Sequence, residues 1–482
     1  MSDVANLIET HLSTVLFLGD RVVKIKKPIR TEFVDFTTLS ARRQACHREV
    51  ALNRRLAPDV YLGVADVTLS DQVVEHAVVM RRLPDVRRLS ARLDRPDVDD
   101  DLRRIAHLLA SFHASAERSR AIDAASGHDS VMRLWESGSR QIEPYVGRIL
   151  DPDAVARMAL LVREYLSGRR SLLDTRVSAG HACDGHGDLQ ADDIFMMDDG
   201  PRILDCLEFD DALRCGDVLA DVAFLAMDLE RLGHPGLADR FLDLYQEHSD
   251  DHWPESLAHL HVAYRAHIRS KVSCIRHDQG DPRAAATART LHDQALSHLE
   301  RARVQFVVVG GSPGTGKSSV ATAIADRLSA VVLSSDQVRD DLVPRSQGRS
   351  YADGAHDGRY RPELVASVYR ELLREAELLS GEGVSVVLDA SWLDSGNREA
   401  ARDLARRTSA HLTELRCVCP DDVAASRIRR RSAAGTDASE ATVEIAAALR
   451  REATPWREAV EIRTDRDLDE TVEVATGLVT ST

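Results

Sequence analysis

The sequence predicts two domains of different fold class: an α+β domain, followed by an α/β domain with a parallel sheet of about five strands. A chain of 482 residues has room for about two to four domains of roughly 100–200 residues each. After Val304 the pattern changes, because five short apolar runs then alternate with helical segments, as in βαβ units. We therefore predict domains over residues 1–300 and 301–482.

The first domain begins with strand-like runs and continues with helical periodicity. Apolar runs at 14–18 and 21–26 flank Gly19 and Asp20, a pattern that indicates a β-hairpin. The other predicted elements are strands at 60–69 and 73–80, two short strands near 192–208, and helices at 38–56, 99–116 and 283–303.

The second domain opens with a phosphate-binding loop. Its predicted strands cover 305–309, 331–333, 384–388, 413–418 and 460–463. The first strand leads into Gly311-Ser312-Pro313-Gly314-Thr315-Gly316-Lys317-Ser318-Ser319, which satisfies G-x-x-x-x-G-K-[ST] between a strand and a helix. The glycines let backbone N–H groups turn toward phosphate oxygens, and the helix dipole adds to the attraction. We expect Lys317 to reach the β and γ phosphates of ATP and the Ser318 hydroxyl to hold Mg²⁺.

Two aspartates follow strands of the second domain. Asp336 comes after the second strand and Asp389 after the third, and the carboxyl ends of parallel strands line the ligand crevice of an open α/β sheet. A carboxylate at Asp336 can take a proton from an attacking hydroxyl, while Arg339 can grip an anionic part of the acceptor. Asp389 has the position expected of the carboxylate that organises Mg²⁺.

An arginine cluster at 426–431 lies on a predicted helix. Arg427 and Arg431 are four residues apart and share a face, so both could close over phosphates as a lid. A solvated basic face is the alternative in a chain this rich in arginine.

Residues 304–482 resemble the small-molecule P-loop kinases grouped with gluconate kinases, polynucleotide kinases and zeta toxins. The likeness is carried by the phosphate loop, the arginine-rich lid, Ser334-Ser335-Asp336 with Arg339, and Leu388-Asp389-Ala390. The resemblance implies that Asp336 is the base and that Arg339 contacts the acceptor. It does not name the acceptor, because these kinases phosphorylate sugars, nucleotide sugars and nucleic-acid ends. The segment has no basic-aromatic track for nucleic acid.

A second set of spaced carboxylates lies in the first domain. Asp193 lies five residues after Asp188. Asp205, at the end of a predicted strand, lies 17 residues after Asp188. Phosphoryl transfer of the protein-kinase type needs an aspartate near the acceptor hydroxyl, a metal ligand five residues later and a second metal-binding aspartate after a strand. We therefore predict Asp188 as the base and Asp193 and Asp205 as Mg²⁺ ligands.

This pattern resembles the aminoglycoside phosphotransferases and their small-molecule relatives, which share the protein-kinase fold. The family's motifs are matched by His186-Gly187-Asp188, by Asp205, and by Gly216-Asp217 through Asp221, whereas Asp193 replaces an asparagine and Val218 a proline. The resemblance implies a bilobal domain with a small lobe of about 1–80 and a large lobe of about 85–300.

In the protein-kinase fold, the lysine that binds the phosphates lies on the third strand and pairs with a glutamate on a helix. Two lysines of this chain are candidates for that role. Lys24 and Lys26 share a strand face because they are two residues apart. Lys24 is preferred, since Val22 would then contact adenine, and Glu49 is the natural partner. Lys26 stays open as the alternative, as does a solvated lysine cluster on an edge strand.

Composition narrows the class of protein. A formal net charge of −15 argues against nucleic-acid and membrane-surface partners, and no apolar run approaches the roughly 18 residues of a membrane span. Seven scattered cysteines and a start unlike a signal peptide predict reduced thiols and a cytoplasmic location. Only five of the 63 basic residues are lysines; Lys24, Lys26 and Lys317 lie in the candidate sites, and Lys271 has no predicted role.

Together these features predict a bifunctional, ATP- and Mg²⁺-dependent phosphotransferase that acts on a small-molecule hydroxyl, such as a sugar, an aminoglycoside or a nucleotide-like acceptor. The order of the two halves looks like that of two-domain bacterial proteins described as aminoglycoside-phosphotransferase-like predicted kinases. One alternative is a nucleotide-responsive module in which one half binds ATP without catalysis and regulates the other. Another is a zeta-toxin-like nucleotide-sugar kinase. The sequence makes no prediction of oligomeric state.

Overall fold

The computed structural model of the protein describes residues 6–10, 12–30, 34–343, 361–434 and 442–480. The chain forms two units. The first comprises Met1–Met158, Leu173–Trp253 and Ala258–His298, and the second Ala159–Leu172, Pro254–Leu257 and Leu299–Thr482. The domain boundaries 1–300 and 301–482 stay a prediction.

The first unit begins with a five-stranded antiparallel sheet and one long helix. The strands are β1 (Asn6–Glu9), β2 (Ser13–Leu18), β3 (Arg21–Lys26), β4 (Tyr61–Leu69) and β5 (Gln72–Arg81), in the spatial order β1-β2-β3-β5-β4. Helix α1 (Leu39–Asn53) packs on β4 and β5. The predicted hairpin is β2–β3. Cys46 and Val50 of the helix meet Val22, Val78 and Met80 of the sheet in one apolar core, which fixes β3 against α1.

The chain then becomes mostly helical. The helices are α2 (Val98–Ser115), α3 (Arg120–Ser126), α4 (His128–Ile142), α5 (Pro152–Gly168), α6 (Arg170–Ser178), α7 (Asp211–Arg214), α8 (Val218–Arg231), α9 (Pro235–Ser249), α10 (Glu255–Asp278) and α11 (Ala284–Arg301). Two small antiparallel sheets interrupt them: β6 (Ala182–Asp184) pairs with β9 (Cys215–Asp217), and β7 (Ile194–Met197) with β8 (Gly200–Ile203). The predicted aspartates lie in the segments next to these short strands: Asp188 follows β6, Asp193 precedes β7 and Asp205 follows β8.

The second unit contains a five-stranded parallel sheet. Its strands are β10 (Gln305–Gly310), β11 (Val331–Ser334), β12 (Val386–Asp389), β13 (His411–Val418) and β14 (Val460–Arg463), in the order β11-β12-β10-β13-β14. The helices are α12 (Lys317–Leu328), α13 (Ser335–Leu342), α14 (Pro362–Gly381), α15 (Ser395–Arg407), α16 (Asp421–Ala434), α17 (Val443–Glu452) and α18 (Leu468–Thr480).

Alternate residues of β10 build two separate cores, one on each face of this sheet. Phe306 and Val308 pack with α14 and α15 residues, whereas Val307 and Val309 pack with residues of α12 and α18. A parallel strand covered on both faces reads as a continuous apolar run, which is why the sequence predicts it well.

The predicted fold class, an α+β domain followed by an α/β domain with five parallel strands, is confirmed. One local prediction is wrong: the strand expected to end at Asp205 ends at Ile203. The backbone of Asp205 has a φ of +64°, in the left-handed region, which cannot continue a strand. Among the described residues, no helix combines the length and apolarity that crossing a membrane requires.

Candidate functional site

The phosphate-binding loop runs from the end of β10 into the first turn of α12. Gly314 has a φ of +85°, and a Cβ there would lie 2.6 Å from the carbonyl oxygen of Ala424. Thr315 Oγ1 donates a hydrogen bond of 2.8 Å to the carbonyl oxygen of Ser312, which closes the turn. Gly314 therefore meets both a backbone and a steric requirement that other residues fail. The remaining predicted residues complete the loop: Gly311, Pro313, Gly316, Lys317, Ser318 and Ser319.

Strand register brings the predicted metal carboxylate to this loop. Asp389 pairs with Val309 on β10 and with Ser334 on β11, so it lies between the phosphate loop and the start of α13. Burial raises the pKa of Asp389, while Lys317 and a hydrogen bond from Ser318 act in the opposite direction. Three predicted residues from two segments, the end of β12 and the start of α12, are thus brought together.

The buried carboxylate of Asp389 fits a Mg²⁺ ligand. Its Oδ1 is buried without a hydrogen-bond partner among the described residues. An unpaired buried carboxylate oxygen is costly, and a bound cation would satisfy it. Asp389 and the Ser318 hydroxyl supply hard oxygen donors, which Mg²⁺ prefers.

A cavity of about 480 Å³ opens beside the loop. Lys317, Asp336 and Arg339 line it together, and Arg339 forms an ion pair with Asp336 one helical turn away. The Asp336 charge is near enough to raise the pKa of Asp389. The predicted phosphate lysine, the predicted base and the predicted acceptor arginine therefore line one space large enough for a small molecule.

Arg427, one of the two arginines predicted to form a lid, lies beside the phosphate loop. Its Nη2 donates a hydrogen bond of 2.7 Å to the carbonyl oxygen of Thr464, whose own hydroxyl donates to the carbonyl oxygen of Thr315 at 2.5 Å. No local motif marks Thr464, which follows β14 and reaches the phosphate loop. Arg431 lies half-buried one turn further along α16, and its role in the lid stays a prediction.

In the first unit, Asp221 holds the turn that carries Asp188. Its carboxylate accepts hydrogen bonds from the backbone N–H groups of His186 and Gly187, the latter at 2.7 Å. Although burial opposes it, a hydrogen bond from His113 keeps the pKa of Asp221 well below its usual range. The matched Gly-Asp-x-x-x-Asp pattern thus has a direct structural use: its last aspartate fixes the loop of the predicted base.

His186 links this turn to the segment of Asp205. Its imidazole is buried, which lowers the pKa of His186 to about 4 and keeps the ring neutral near pH 7. Nδ1 accepts a hydrogen bond of 3.3 Å from the backbone N–H of Asp188, and Nε2 lies 3.1 Å from the carbonyl oxygen of Leu204. One neutral histidine therefore sets the spacing of two predicted site aspartates.

The three predicted aspartates act on one another electrostatically. Burial raises the pKa of Asp188 to about 6, with Asp205 adding to the effect and Arg269 opposing it. Burial, Asp205 and Asp188 together raise the pKa of Asp193 well above its usual range. Within the described ranges, no group of three or more histidine, cysteine, aspartate or glutamate side chains has metal-binding geometry. Mg²⁺ would rest on Asp193 and Asp205, whose mutual repulsion a cation relieves, together with nucleotide phosphates.

Both candidate lysines contact Glu49. Lys24 Nζ lies 2.9 Å from Glu49 Oε1 and 2.6 Å from Asp205 Oδ1, and its side chain is 15% exposed. Lys26 is 1% exposed and pairs with Glu49 Oε2 at 2.5 Å and with Glu208. Lys24 thus reaches Asp205, a predicted metal ligand, whereas the more deeply buried Lys26 is enclosed between Glu49 and Glu208. Glu208 is a partner that sequence reasoning missed.

Two further residues missed by sequence reasoning hold Asp205 in its left-handed conformation. The backbone N–H of Asp205 donates to the hydroxyl of Tyr61 at 3.2 Å, and that of Cys206 donates to Asn53 Oδ1 at 2.9 Å. Tyr61 and Asn53 lie far away in sequence and belong to no motif, so only the folded chain reveals them.

Comparisons with known proteins cover both halves of the chain. Residues 306–456 match a family model described as an AAA domain. Uncharacterized protein Rv2004c of Mycobacterium tuberculosis (strain ATCC 25618 / H37Rv) is 43% identical over 452 residues, which are 93% of this chain and 90% of that protein. A gluconokinase from Sinorhizobium meliloti 1021 is 20% identical, with a TM-score of 0.28, over 37% of this chain and 93% of its own. A choline/ethanolamine kinase family protein from Mesorhizobium loti is 12% identical, with a TM-score of 0.37, over 61% of this chain and 92% of its own.

Proposed function

The chain belongs to the same family as the mycobacterial protein Rv2004c, and we propose that it is a Mg²⁺- and ATP-dependent phosphotransferase with two kinase sites. The observation that carries the proposal is the meeting of Lys317, Ser318 and Asp389 at the phosphate loop, with Asp336 and Arg339 lining the same cavity. Phosphoryl transfer is catalysed mainly by positioning and electrostatic stabilisation, and these five groups supply both.

At the second-unit site each residue has one task. The loop N–H groups and Lys317 hold the phosphates. Ser318 with Asp389 would hold Mg²⁺, which when bound would supply positive charge to the phosphates. Asp336 takes the proton of the acceptor hydroxyl, and Arg339 gives up part of its ion pair with Asp336 to an anionic group of the acceptor. Arg427, which lies next to Gly316 of the loop, stabilises negative charge on the phosphates.

An acceptor screen with ADP release as the readout tests this site. Sugars, aminoglycosides and nucleotides are offered to the full-length wild type and to the Lys317→Ala variant. We expect at least one acceptor whose phosphorylation falls about 10³-fold in the variant, because a charge that stabilises the transition state is lost. If Lys317→Ala leaves all transfer unchanged while Asp188→Ala abolishes it, the second unit does not perform the main reaction.

For the first unit we propose a second phosphotransferase site with Asp188 as base, Lys24 on the phosphates and Asp193 with Asp205 on Mg²⁺. The pKa of about 6 supports Asp188 as a base that is ionised at pH 7 yet more basic than an exposed aspartate. Asp188→Ala should remove transfer to one set of acceptors and leave the set that depends on Lys317 intact. Loss of both sets in Asp188→Ala would show that the two halves do not work independently.

A second candidate function is a nucleotide-responsive module, in which the first unit binds ATP without catalysis. The observation that favours it is Asp193, which replaces the asparagine of the resembled family and places a third carboxyl group beside Asp188 and Asp205. Binding of a non-hydrolysable ATP analogue to the Lys317→Ala variant, with and without Mg²⁺, separates the two. Tight binding there without turnover of any acceptor in the panel supports the module.

A further inference from the structure

The predicted base Asp188 opens onto a second cavity within the first unit. The cavity has a volume of about 260 Å³ and is lined by Gly187 and Asp188 on one side and by α10 on the other. This volume is near the lower end for small-molecule sites, which hold roughly 300–1,000 Å³. A compact acceptor therefore suits it better than a large one.

The body of the cavity is apolar. Leu207, Phe209, Phe224 and Ile268 are among its lining side chains. Asp188 is the only carboxylate among the described lining residues, so an acceptor that carries several ammonium groups meets no further anionic partner there. An uncompensated cation placed in an apolar cavity loses hydration without gaining an ion pair.

Four basic residues of α10 line the cavity, and three of them have partners. Arg265 stacks on Phe224 at 4.9 Å and donates to the carbonyl oxygen of Ala220. Lys271 donates to Gln141, and Arg276 pairs with Asp281 at 3.2 Å. The remaining one is Arg269.

Arg269 has no partner of this kind. Among the described residues its side chain forms no ion pair and donates no hydrogen bond, yet its charge acts on Asp188. Arg269 and Asp188 line the same cavity without forming an ion pair with each other, so a ligand in the cavity can contact both. A guanidinium exposed to such a cavity is a ready partner for a carboxylate or phosphate.

We propose that the acceptor of the first-unit site is a compact alcohol with an apolar body and one anionic group, which Arg269 binds while the hydroxyl meets Asp188. In the reaction the acceptor oxygen forms a bond to the γ-phosphorus of ATP, and the bond from that phosphorus to the β–γ bridging oxygen breaks. ADP leaves, and the hydroxyl proton passes to the Asp188 carboxylate. This inference rests on the proposed function of the first unit and names the substrate class of that site.

Equilibrium binding to the full-length protein tests the inference without requiring turnover. The probes are three para-substituted benzyl alcohols that differ only in one group: hydroxymethylbenzoate, benzenedimethanol and aminomethylbenzyl alcohol. Calorimetry is done with a non-hydrolysable ATP analogue and Mg²⁺ present. We expect the carboxylate to bind about ten- to hundredfold more tightly than the diol, as a charge-assisted hydrogen bond contributes, and the amine more weakly than the diol.

A matched pair of arginine variants on α10 assigns the effect. Arg269→Gln should bring the affinity for the carboxylate down to that for the diol, whereas Arg276→Gln, which already has Asp281 as partner, should leave the preference unchanged. The inference is overturned by any of three results: the carboxylate and the amine bind equally, no probe binds, or the preference for the carboxylate survives Arg269→Gln.

Turnover of the same probes distinguishes this inference from the proposed function. Preferential binding of the carboxylate without phosphorylation supports the acceptor class and counts against catalysis at Asp188. Phosphorylation of an aminoglycoside such as kanamycin that is lost in Asp188→Ala supports catalysis and overturns the acceptor class.

Discussion

The two sites proposed to hold phosphate are built by different physical means. In the second unit the phosphate loop presents backbone N–H groups, and its shape depends on glycine conformation at positions such as Gly314. In the first unit Lys24 is held by side-chain ion pairs with Glu49 and Asp205. One site is a backbone cradle, whereas the other is a network of charges.

Different substitutions should therefore impair the two sites. A backbone cradle keeps its shape without ligand and fails when a side chain disturbs the backbone. A charge network stays folded when one exposed charge is removed, but its electrostatics change at once. In the proposed mechanism, Lys24 would also exchange its contact with Asp205 for phosphate when ATP and Mg²⁺ bind. We therefore expect glycine substitutions in the phosphate loop to lower transfer at one site most strongly while sparing the other. Substitutions of single charges should lower transfer by smaller factors.

The largest expected effect is that of Gly314→Ala. The new Cβ would lie 2.6 Å from the Ala424 carbonyl oxygen at a φ of +85°, so the loop must deform, and transfer in the second unit should fall about 10³-fold or more. Gly477→Ala is the matched control, because open space surrounds Gly477 on α18. Transfer that depends on Asp188 should be unaffected in both variants. A Gly314→Ala enzyme as active as Gly477→Ala would contradict the account of the loop.

Next in size is a contrast between the two lysines. Lys26→Met leaves Glu208 buried and unpaired, which should lower the free energy of unfolding by about 3–5 kcal/mol in urea denaturation. Lys24→Met should cost less stability but lower first-unit transfer about 10²-fold, since Lys24 is the lysine that reaches Asp205. The opposite pattern, with catalysis lost only in Lys26→Met at unchanged stability, would assign the phosphate role to Lys26.

The pH dependence of first-unit transfer is a third test. Burial raises the pKa of Asp188 to about 6, so the carboxyl holds its proton below that pH and can act as a base only above it. The rate should rise with pH, with a midpoint near pH 6, and at pH 5 should be about tenfold below the plateau. Asp188→Asn should remove both the rate and its dependence on pH. A rate that is flat from pH 5 to 8 in the wild type would exclude Asp188 as the base.

The smallest expected effect is that of Asp193→Asn, which restores the asparagine of the resembled family. A neutral amide still offers an oxygen to Mg²⁺, so first-unit transfer should change by less than about tenfold, with Mg²⁺ binding a few times weaker as one negative charge is lost. Steady-state rates across a Mg²⁺ titration measure both. Transfer that exists only in Asp193→Asn would favour the nucleotide-responsive module over a second enzyme site.

The sequence predicted the second unit better than the first because its strands are buried on both faces and separated by helices. Strand β14 begins and ends at the predicted residues, and β10 differs from its prediction by one residue. Strands β6 and β9 were missed, since three residues are too few to show a period of two. Strand β1, of four residues, was missed for a similar reason.

At the sites, spacing predicted which residues belong together but not how they are held. Asp188, Asp193 and Asp205 influence one another electrostatically, and their roles stay a prediction. The left-handed backbone of Asp205 is held by Tyr61 and Asn53, which are distant in sequence. Spacing alone also placed both lysines on one face, and only tertiary packing separates the buried one from the one at Asp205. Motifs in the sequence indicate the predicted reacting groups. The residues that hold those groups in place, such as Tyr61 and Asn53, are brought there by long-range contacts.

We propose that one chain carries two separate phosphoryl-transfer sites. The decisive measurement is transfer from radiolabelled ATP by the two single variants and by the double variant Asp188→Ala/Lys317→Ala. With the acceptors that the screen identifies, each single variant should lose transfer to one set of acceptors and keep the other, and the double variant should transfer to neither. If either single substitution abolishes all transfer, or if the double variant still phosphorylates an acceptor, the assignment of two independent sites is contradicted.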